Sequence, residues 1–530
     1  MKQSAVCAAI TLRWWRCNMG MITITIDGQS LQARPGETIL QAARRAGIYI
    51  PTMCYLSKTA PIASCRLCIV EVEGVEGFIL SCQAKATEGA VIRTTSLALE
   101  EKRRDIMALY AVNHPLECGV CDKSGACDLQ NKVLEHEVTS QSFAARDQKR
   151  VIKNWGMIQY DPSLCILCEK CVHVCNEVIG DDAITLYFGG YKSEVITKKG
   201  GDLECTMCGE CIAVCPVGAL ISTDFKYRSN AWELTKIPAA CAHCAAGCQL
   251  YYEVKHDSIA NNQPEIKRVT NEFEFSTLCG AGRFGFDFAN RVEGKDPIRF
   301  QRALDALMRA DTIAFSGYIT NEEALLLQQM KQARGYRLVA DDVRGFQKFL
   351  RAFRATSGWT IPTATLSTIS SADAIIVFGT LLKSDNPMAR YHLTMAKRRH
   401  NAQTINLHPV EEVELAHLFN QQVKYEVGSE EGVMALLLAN ILNNADLPSQ
   451  LRSWIDDLDV GNLSGDASFD EREQSLMMAK LRRAKKPVLI LGPDLYEHPR
   501  AENIARMAGL LQRFSPFKVV LIPPTTNALG

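Results

Sequence analysis

No cysteine follows Cys279, although the chain runs on to residue 530. Metal chemistry that needs a thiolate is thereby excluded from the rest of the chain. Long apolar runs are missing too: no stretch of about 18 residues stays apolar, so the sequence offers no transmembrane helix. Net charge is absent as well. Lys+Arg and Asp+Glu stand at 59 each, which removes any nucleic-acid or anionic-membrane footprint at the level of net charge. The weakly apolar stretch Ala5–Leu12, between Lys2 and Arg13-Trp14-Trp15-Arg16, lacks a small-residue cleavage site and does not read as a signal peptide. Residues 1–20 are expected to be a non-native or disordered extension, from a start placed too far upstream, because Met21 opens a clean alternating strand. With 47% hydrophobic and 22% charged residues the remainder is an ordinary globular chain, long enough for several domains.

What the chain has instead is thiol. Nineteen of its 21 cysteines lie between Cys54 and Cys279, and the other two, Cys7 and Cys17, sit in the extension. Disulfide frameworks belong to small secreted domains, so thiols in a chain this large read as ligands kept reduced until metal arrives, which fits a cytoplasmic setting. The sharpest pattern is Cys165, Cys168, Cys171, Cys175, repeated as Cys205, Cys208, Cys211, Cys215. Each copy is C-x2-C-x2-C-x3-C, followed by Asn176 in the first and Pro216 in the second. Such runs bind [4Fe–4S] clusters, and in two-cluster ferredoxins the fourth cysteine of each run serves the other cluster. One set is then Cys165, Cys168, Cys171 and Cys215; the other is Cys205, Cys208, Cys211 and Cys175.

Three further sets flank this pair. Residues 21–97 read as strand-rich, with a strand at 21–27, a helix at 37–46 after Pro35-Gly36, and strand-like runs at 68–73 and 78–82. Cys54, Cys65, Cys68 and Cys82, at C-x10-C-x2-C-x13-C, suit the [2Fe–2S] site of a ferredoxin-like β-grasp domain. Zinc is the alternative, although zinc ribbons present two close knuckles and only one pair is close here. Residues 98–113 read as a helix with Leu99, Ile106, Leu109 and Tyr110 at helical spacing, ended by His114-Pro115. His114, Cys118, Cys121 and Cys127 follow as H-x3-C-x2-C-x5-C, a set that fits zinc or a [4Fe–4S] cluster and is tipped toward iron by its neighbours. The last set, Cys241, Cys244, Cys248 and Cys279, is a three-cysteine cradle with one distant ligand and again suits [4Fe–4S]. Gly280, Gly282 and Gly285 spell G-x-G-x-x-G directly after it, but only a weak strand ending in a ligand precedes them, so dinucleotide binding is not expected.

Beyond residue 290 the texture becomes α/β. Apolar runs at Thr312–Phe315, Ala374–Phe378 and Val488–Leu491 read as buried parallel strands, with helices at 321–334, 387–400 and 499–513. This alternation implies a doubly wound sheet. Gly379 and Gly492 close strands where such folds place ligands, though a structural role for each is the simpler expectation. Ending on Lys518–Ile522 and a turn, the domain reads as truncated.

Taken in order, these blocks resemble the G subunit of NADH-quinone oxidoreductase (respiratory complex I), as do the stretch Leu278–Asp287 and Ile375–Gly379 with Asn386-Pro387 beyond it. The fold class is therefore expected to be multidomain α+β and α/β. A [2Fe–2S] β-grasp domain at 21–97 is followed by a one-histidine, three-cysteine segment at 98–137. A doubled [4Fe–4S] ferredoxin-like segment occupies 155–229, a [4Fe–4S] segment of molybdopterin-enzyme type 234–290, and a molybdopterin-oxidoreductase-like α/β domain 291–530. Ligands for two clusters in the ferredoxin segment depart from the usual single-cluster form, and are similar to those of NAD-linked formate dehydrogenase α subunits, [FeFe]-hydrogenases and some divergent bacterial complex I lineages. The resemblance implies an electron relay of one [2Fe–2S] and four [4Fe–4S] clusters with no catalytic residue of its own. It also implies peripheral-arm partner subunits, an electron-donor subunit or protein, and a place on the cytoplasmic side of the inner membrane reached only through partners. The competing enzyme is a molybdenum formate dehydrogenase; the missing cysteine after Cys279 and Ala281, where related enzymes carry lysine, argue against molybdopterin. A hydrogenase would need further C-terminal cysteines, and a zinc scaffold would need every set misread together.

Overall fold

The computed structural model describes residues 20–140, 150–256, 264–290, 296–358 and 364–529. The expected extension, with Cys7 and Cys17, falls outside them apart from Gly20. The N-terminal unit is a five-stranded mixed sheet in the order Gln29–Ala33, Ile22–Ile26, Val91–Arg93, Ile69–Val72, Ile79–Leu80. Ile24 and Ile26 point inward at 1% and 0% exposure, a burial worth about 1.5–3 kcal/mol per side chain. They meet the apolar face of the helix Ile39–Arg45, which starts at a capping box in which Thr38 and Gln41 satisfy each other's backbone N–H groups.

The long helix Leu97–Asn113 follows, capped by Ser96. Its buried stripe is Leu99, Arg103, Met107 and Ala111, whereas Leu109 is exposed. The sequence pattern pointed to Leu109 because a buried arginine is rare; here the Arg103 guanidinium is held by the carbonyls of Leu67 and Ile69 at 3.2 and 2.7 Å.

The doubled ferredoxin segment lies next, with short helices at Lys170–His173 and Glu210–Val214 beside small antiparallel sheets. Its two copies diverge for a local reason. Pro216 forces Cys215 into extended backbone and stops the second helix. With Asn176 at the matching position, the first helix runs on as a π-helical stretch, Val174–Ile179. A three-stranded antiparallel sheet, Thr235–Ala240, Gln249–His256 and Pro264–Thr270, leads toward Cys279.

The C-terminal unit is built on a five-stranded, all-parallel sheet ordered Gln421–Val423, Gln403–Leu407, Ala374–Phe378, Pro487–Leu491, Lys518–Leu521. Ala374–Phe378 and Pro487–Leu491 are buried throughout, and helices Asn321–Arg334, Pro387–His400 and Ala501–Phe514 lie at the expected places. One run differs: Thr312–Ala314 is a largely exposed strand that pairs only with Arg337–Val339, in a separate two-stranded sheet. The strand order reverses between Ala374–Phe378 and Pro487–Leu491, the crevice where doubly wound sheets bind ligands. This chain fills it. A Cβ on Gly379 would fall 2.5 Å from Leu495 Cγ, and one on Gly492 would fall 2.1 Å from Thr380 Cβ. Both glycines are there for close packing.

His408 fastens the same loops, its Nε2 3.0 Å from Asp494 Oδ2 and its Nδ1 2.8 Å from the Val410 carbonyl. Burial lowers its pKa, but the bonds to Asp494 and Val410 outweigh burial and leave it raised above 6.5. A raised histidine pKa adds stability that is complete below the unfolded value and is lost as pH climbs through the folded one. The loss in thermal stability caused by His408→Gln should therefore be largest below about pH 6.5 and shrink toward pH 8. A loss that grows with pH would contradict this assignment.

Candidate cluster-binding sites

In the N-terminal unit, the loop between Cys54 and Cys68 is bent by left-handed backbone at Ala63 (φ 59°) and Arg66 (φ 60°). These turns aim backbone N–H groups at sulfur: Met53 donates to Cys65 Sγ and Cys65 donates to Cys54 Sγ, both at 3.4 Å. All four thiols of this set are 1–2% exposed. They form two hydrogen-bonded pairs in which one thiol is held acidic by its neighbour. The bond from Cys65 holds Cys54 below the usual thiol range, and the bond from Cys82 does the same to Cys68. The partners Cys65 and Cys82 are pushed up in turn, by those same bonds and by burial.

Cys118, Cys121 and Cys127 form a second group, in which each charge bears on the next: Cys118 on Cys121, and Cys121 on Cys127. Cys127 caps the helix Asp128–Glu135 through Gln130 N. His114 ends the preceding helix with its ring beside the Leu164 backbone, and Leu164 Cδ1 and the Cys121 sulfur both lie against Gly218. Burial holds its imidazole below the usual pKa, in the neutral form, and its buried Nδ1 has no hydrogen-bond partner among the described residues. A neutral, unpartnered ring nitrogen fits a metal-ligand role.

The doubled run shows its symmetry in the backbone. Left-handed residues recur at Leu167 and Glu169 in the first copy and at Met207 and Gly209 in the second. Leu167 N donates to Cys165 Sγ at 3.4 Å, and Met207 N donates to Cys205 Sγ at 3.3 Å. The thiols sort across the copies. Burial, then the neighbouring thiols Cys215 and Cys165, push Cys168 up, and burial, then Cys168, Cys165, Cys215 and Cys211, push Cys171 up. Burial, then Cys175, Cys205 and Cys215, do the same to Cys211. Cys175, Cys205, Cys208 and Cys211 line one cavity together with Asp181.

The last set closes around the hairpin Cys241–Cys248, where Cys241 N donates to the Cys248 carbonyl at 2.8 Å. Burial raises Cys248, with Cys244, Cys241 and Cys279 adding to the effect, so the four thiols lie within electrostatic reach of one another. Cys279 precedes the short helix Gly280–Phe284, and no strand leads into it. Gly280 serves close approach to the ferredoxin segment: a Cβ there would fall 2.9 Å from the Met207 carbonyl oxygen.

Three groups beside these ligands carry no local sequence signature. Lys58 reaches from the N-terminal unit to Thr277 Oγ1 at 3.1 Å and over the Phe273 ring; burial pulls its pKa down, opposed by Glu210, Glu274 and Cys248. Glu210, fully buried, binds Arg283 Nη2 and the Leu278 N–H, each at 2.7 Å, tying the second ferredoxin copy to the last ligand loop. Arg390, from the α/β domain, pairs with Asp181.

Among the described residues no three His, Cys, Asp or Glu side chains converge tightly enough to hold a single metal ion. Comparison with known proteins bears on the kind of metal. Residues 20–96 match the 2Fe-2S iron-sulfur cluster binding domain, 103–142 the NADH-ubiquinone oxidoreductase-G iron-sulfur binding region, 156–221 the ferredoxin-like domain of NADH-quinone oxidoreductase subunit 3, and 234–291 the molybdopterin oxidoreductase Fe4S4 domain. The NADPH-Fe(3+) oxidoreductase subunit alpha of Geobacter sulfurreducens is 34% identical over 82% of this chain and 53% of its own length. The G 2 subunit of the NADH-quinone oxidoreductase of Rhizobium meliloti is 31% identical over 93% of this chain and 59% of its own length. One chain of an NAD+-reducing [NiFe]-hydrogenase structure is 31% identical over 39% of this chain and 90% of its own, with a TM-score of 0.37. This chain thus spans little more than half the length of the Geobacter and Rhizobium relatives, and it carries both 2Fe-2S and 4Fe-4S binding domains. It belongs to the iron–sulfur family of the NADH-quinone oxidoreductase G subunit.

Proposed function

We propose that this chain is the iron–sulfur relay of a complex I type oxidoreductase, passing electrons from a donor subunit toward quinone through one [2Fe–2S] and four [4Fe–4S] clusters. The observation that carries this reading is the sorting of the doubled run. Cys175 of the first loop shares a cavity with Cys205, Cys208 and Cys211 of the second, and Cys215 of the second bears on Cys168 and Cys171 of the first, which supports crossed groups, Cys165, Cys168, Cys171 with Cys215 and Cys205, Cys208, Cys211 with Cys175, like the ligands of a two-cluster ferredoxin. Cys54, Cys65, Cys68 and Cys82 hold the [2Fe–2S] group. His114 joins Cys118, Cys121 and Cys127, and Cys241, Cys244, Cys248 and Cys279 hold the last cluster. A bound cluster supplies reversible one-electron chemistry. The chain contributes thiolates, N–H groups aimed at sulfur, and burial that keeps water from the ligands.

No helix of the described residues is long and apolar enough to cross a membrane. The proposed membrane link, on the cytoplasmic face, runs through partner subunits of the peripheral arm. The division into segments at 21–97, 98–137, 155–229, 234–290 and 291–530 is part of the same proposal.

Anaerobically purified protein should contain about 18 iron atoms per chain, two from one cluster and four from each of four others. Iron analysis with EPR of the reduced protein checks this. Stoichiometric zinc with little iron would sink the relay, and molybdenum near one atom per chain would move the assignment to a molybdenum enzyme.

A further inference from the structure

The α/β domain contains no cysteine, yet one of its side chains reaches the ligand shell of the ferredoxin segment. Helix Pro387–His400 packs along the π-helical stretch Val174–Ile179 that bears Cys175. From its first turn Arg390, 1% exposed, donates to the Ile179 carbonyl at 3.0 Å and to Asp181 Oδ1. The other carboxylate oxygen, Asp181 Oδ2, accepts from the backbone N–H and the hydroxyl of Thr206, at 2.8 and 2.7 Å. Thr206 directly follows Cys205, and Asp181 lines the cavity shared by Cys175, Cys205, Cys208 and Cys211. Asp181 and Arg390 both act on the Cys205 thiol, with opposite sign.

A cluster gains one negative charge on reduction. A carboxylate in its shell opposes that gain, and a guanidinium favours it; in a buried site neither is well screened. Paired, the two nearly cancel. Separated, the carboxylate acts alone.

We propose that Arg390 is a positioning residue through which the α/β domain sets the reduction potential of the cluster at Cys175, Cys205, Cys208 and Cys211, by neutralising Asp181. The inference rests on that ligand set as given above. It assigns a task in electron transfer to a domain that offers the relay no ligand, and makes this one potential depend on how that domain is docked.

EPR-monitored redox titration of the iron-loaded full chain tests it. Arg390→Gln should shift one four-iron signal to lower potential, changing its reduced-to-oxidised ratio about tenfold, or about 59 mV for one electron, while the other signals stay put. Asp181→Asn should shift the same signal upward. Arg390→Lys, which keeps the charge, should return most of the loss. If Arg390→Gln fails to load iron, Asp181→Asn decides alone: an upward shift of one signal supports the proposal and an unmoved signal overturns it. Equal movement of all four-iron signals also overturns it. Failure of the ligand set itself looks different, because Cys205→Ser would then retain the full iron content.

Discussion

Cys215→Ser should release about four of the roughly 18 iron atoms, and the EPR signal lost with it should be the one also lost in Cys168→Ser. Neighbours in sequence suggest the opposite grouping, since Cys215 closes the run that begins at Cys205. In space Cys215 acts on Cys165, Cys168 and Cys171 of the first run as well as on Cys211 of its own. The reason lies in Pro216: by ending the helix Glu210–Val214 it leaves Cys215 extended, φ −67° and ψ 119°. Cys175 is carried the other way by the continuing π-helical stretch, where Ala183 N donates to its sulfur at 3.4 Å. Cys175→Ser should accordingly extinguish the same signal as Cys208→Ser. If instead Cys215→Ser and Cys205→Ser abolish one and the same signal, each run holds its own cluster and the crossed assignment is wrong.

Legibility in the sequence followed the range of the interactions. Ala374–Phe378 was readable because five consecutive apolar residues have no solvent face, and the 2Fe-2S and 4Fe-4S binding domains because cysteine spacing is itself the chemical pattern. The capping box at Thr38 is likewise a four-residue signal. Thr312–Phe315 carries the same apolar texture as the buried strands, but exposure depends on what lies over it, and no short window contains that. Leu109 failed for a related reason: a pattern of apolar residues cannot show that Arg103 takes the inward position by binding two carbonyls of a distant loop. The groups placed beside the ligands were the least legible. Arg390 and Asp181 are 209 residues apart, and Lys58 and Thr277 are 219 apart. Each of these side chains looks like any other surface polar group until the fold brings its partner to it.

Glu210→Ala should cost about 3–5 kcal/mol of stability, the usual penalty for leaving one member of a buried ion pair alone. Glu210 is fully buried and Arg283 is 5% exposed, so water cannot replace the missing carboxylate. Asn271 would keep one hydrogen bond to the stranded guanidinium, through its Oδ1 at 2.7 Å, and the Val269 carbonyl a second at 3.1 Å. Those dipoles solvate the charge only in part. The Leu278 N–H loses its acceptor at the same time, immediately before the ligand Cys279. The damage should therefore spread to the Cys241, Cys244, Cys248 and Cys279 set, with faster loss of about four iron atoms per chain to a chelator. Replacing the pair together, Glu210→Gln with Arg283→Met, removes both buried charges and should recover most of the stability in thermal unfolding. If the single and double variants unfold at the same temperature, packing rather than charge holds the two loops together.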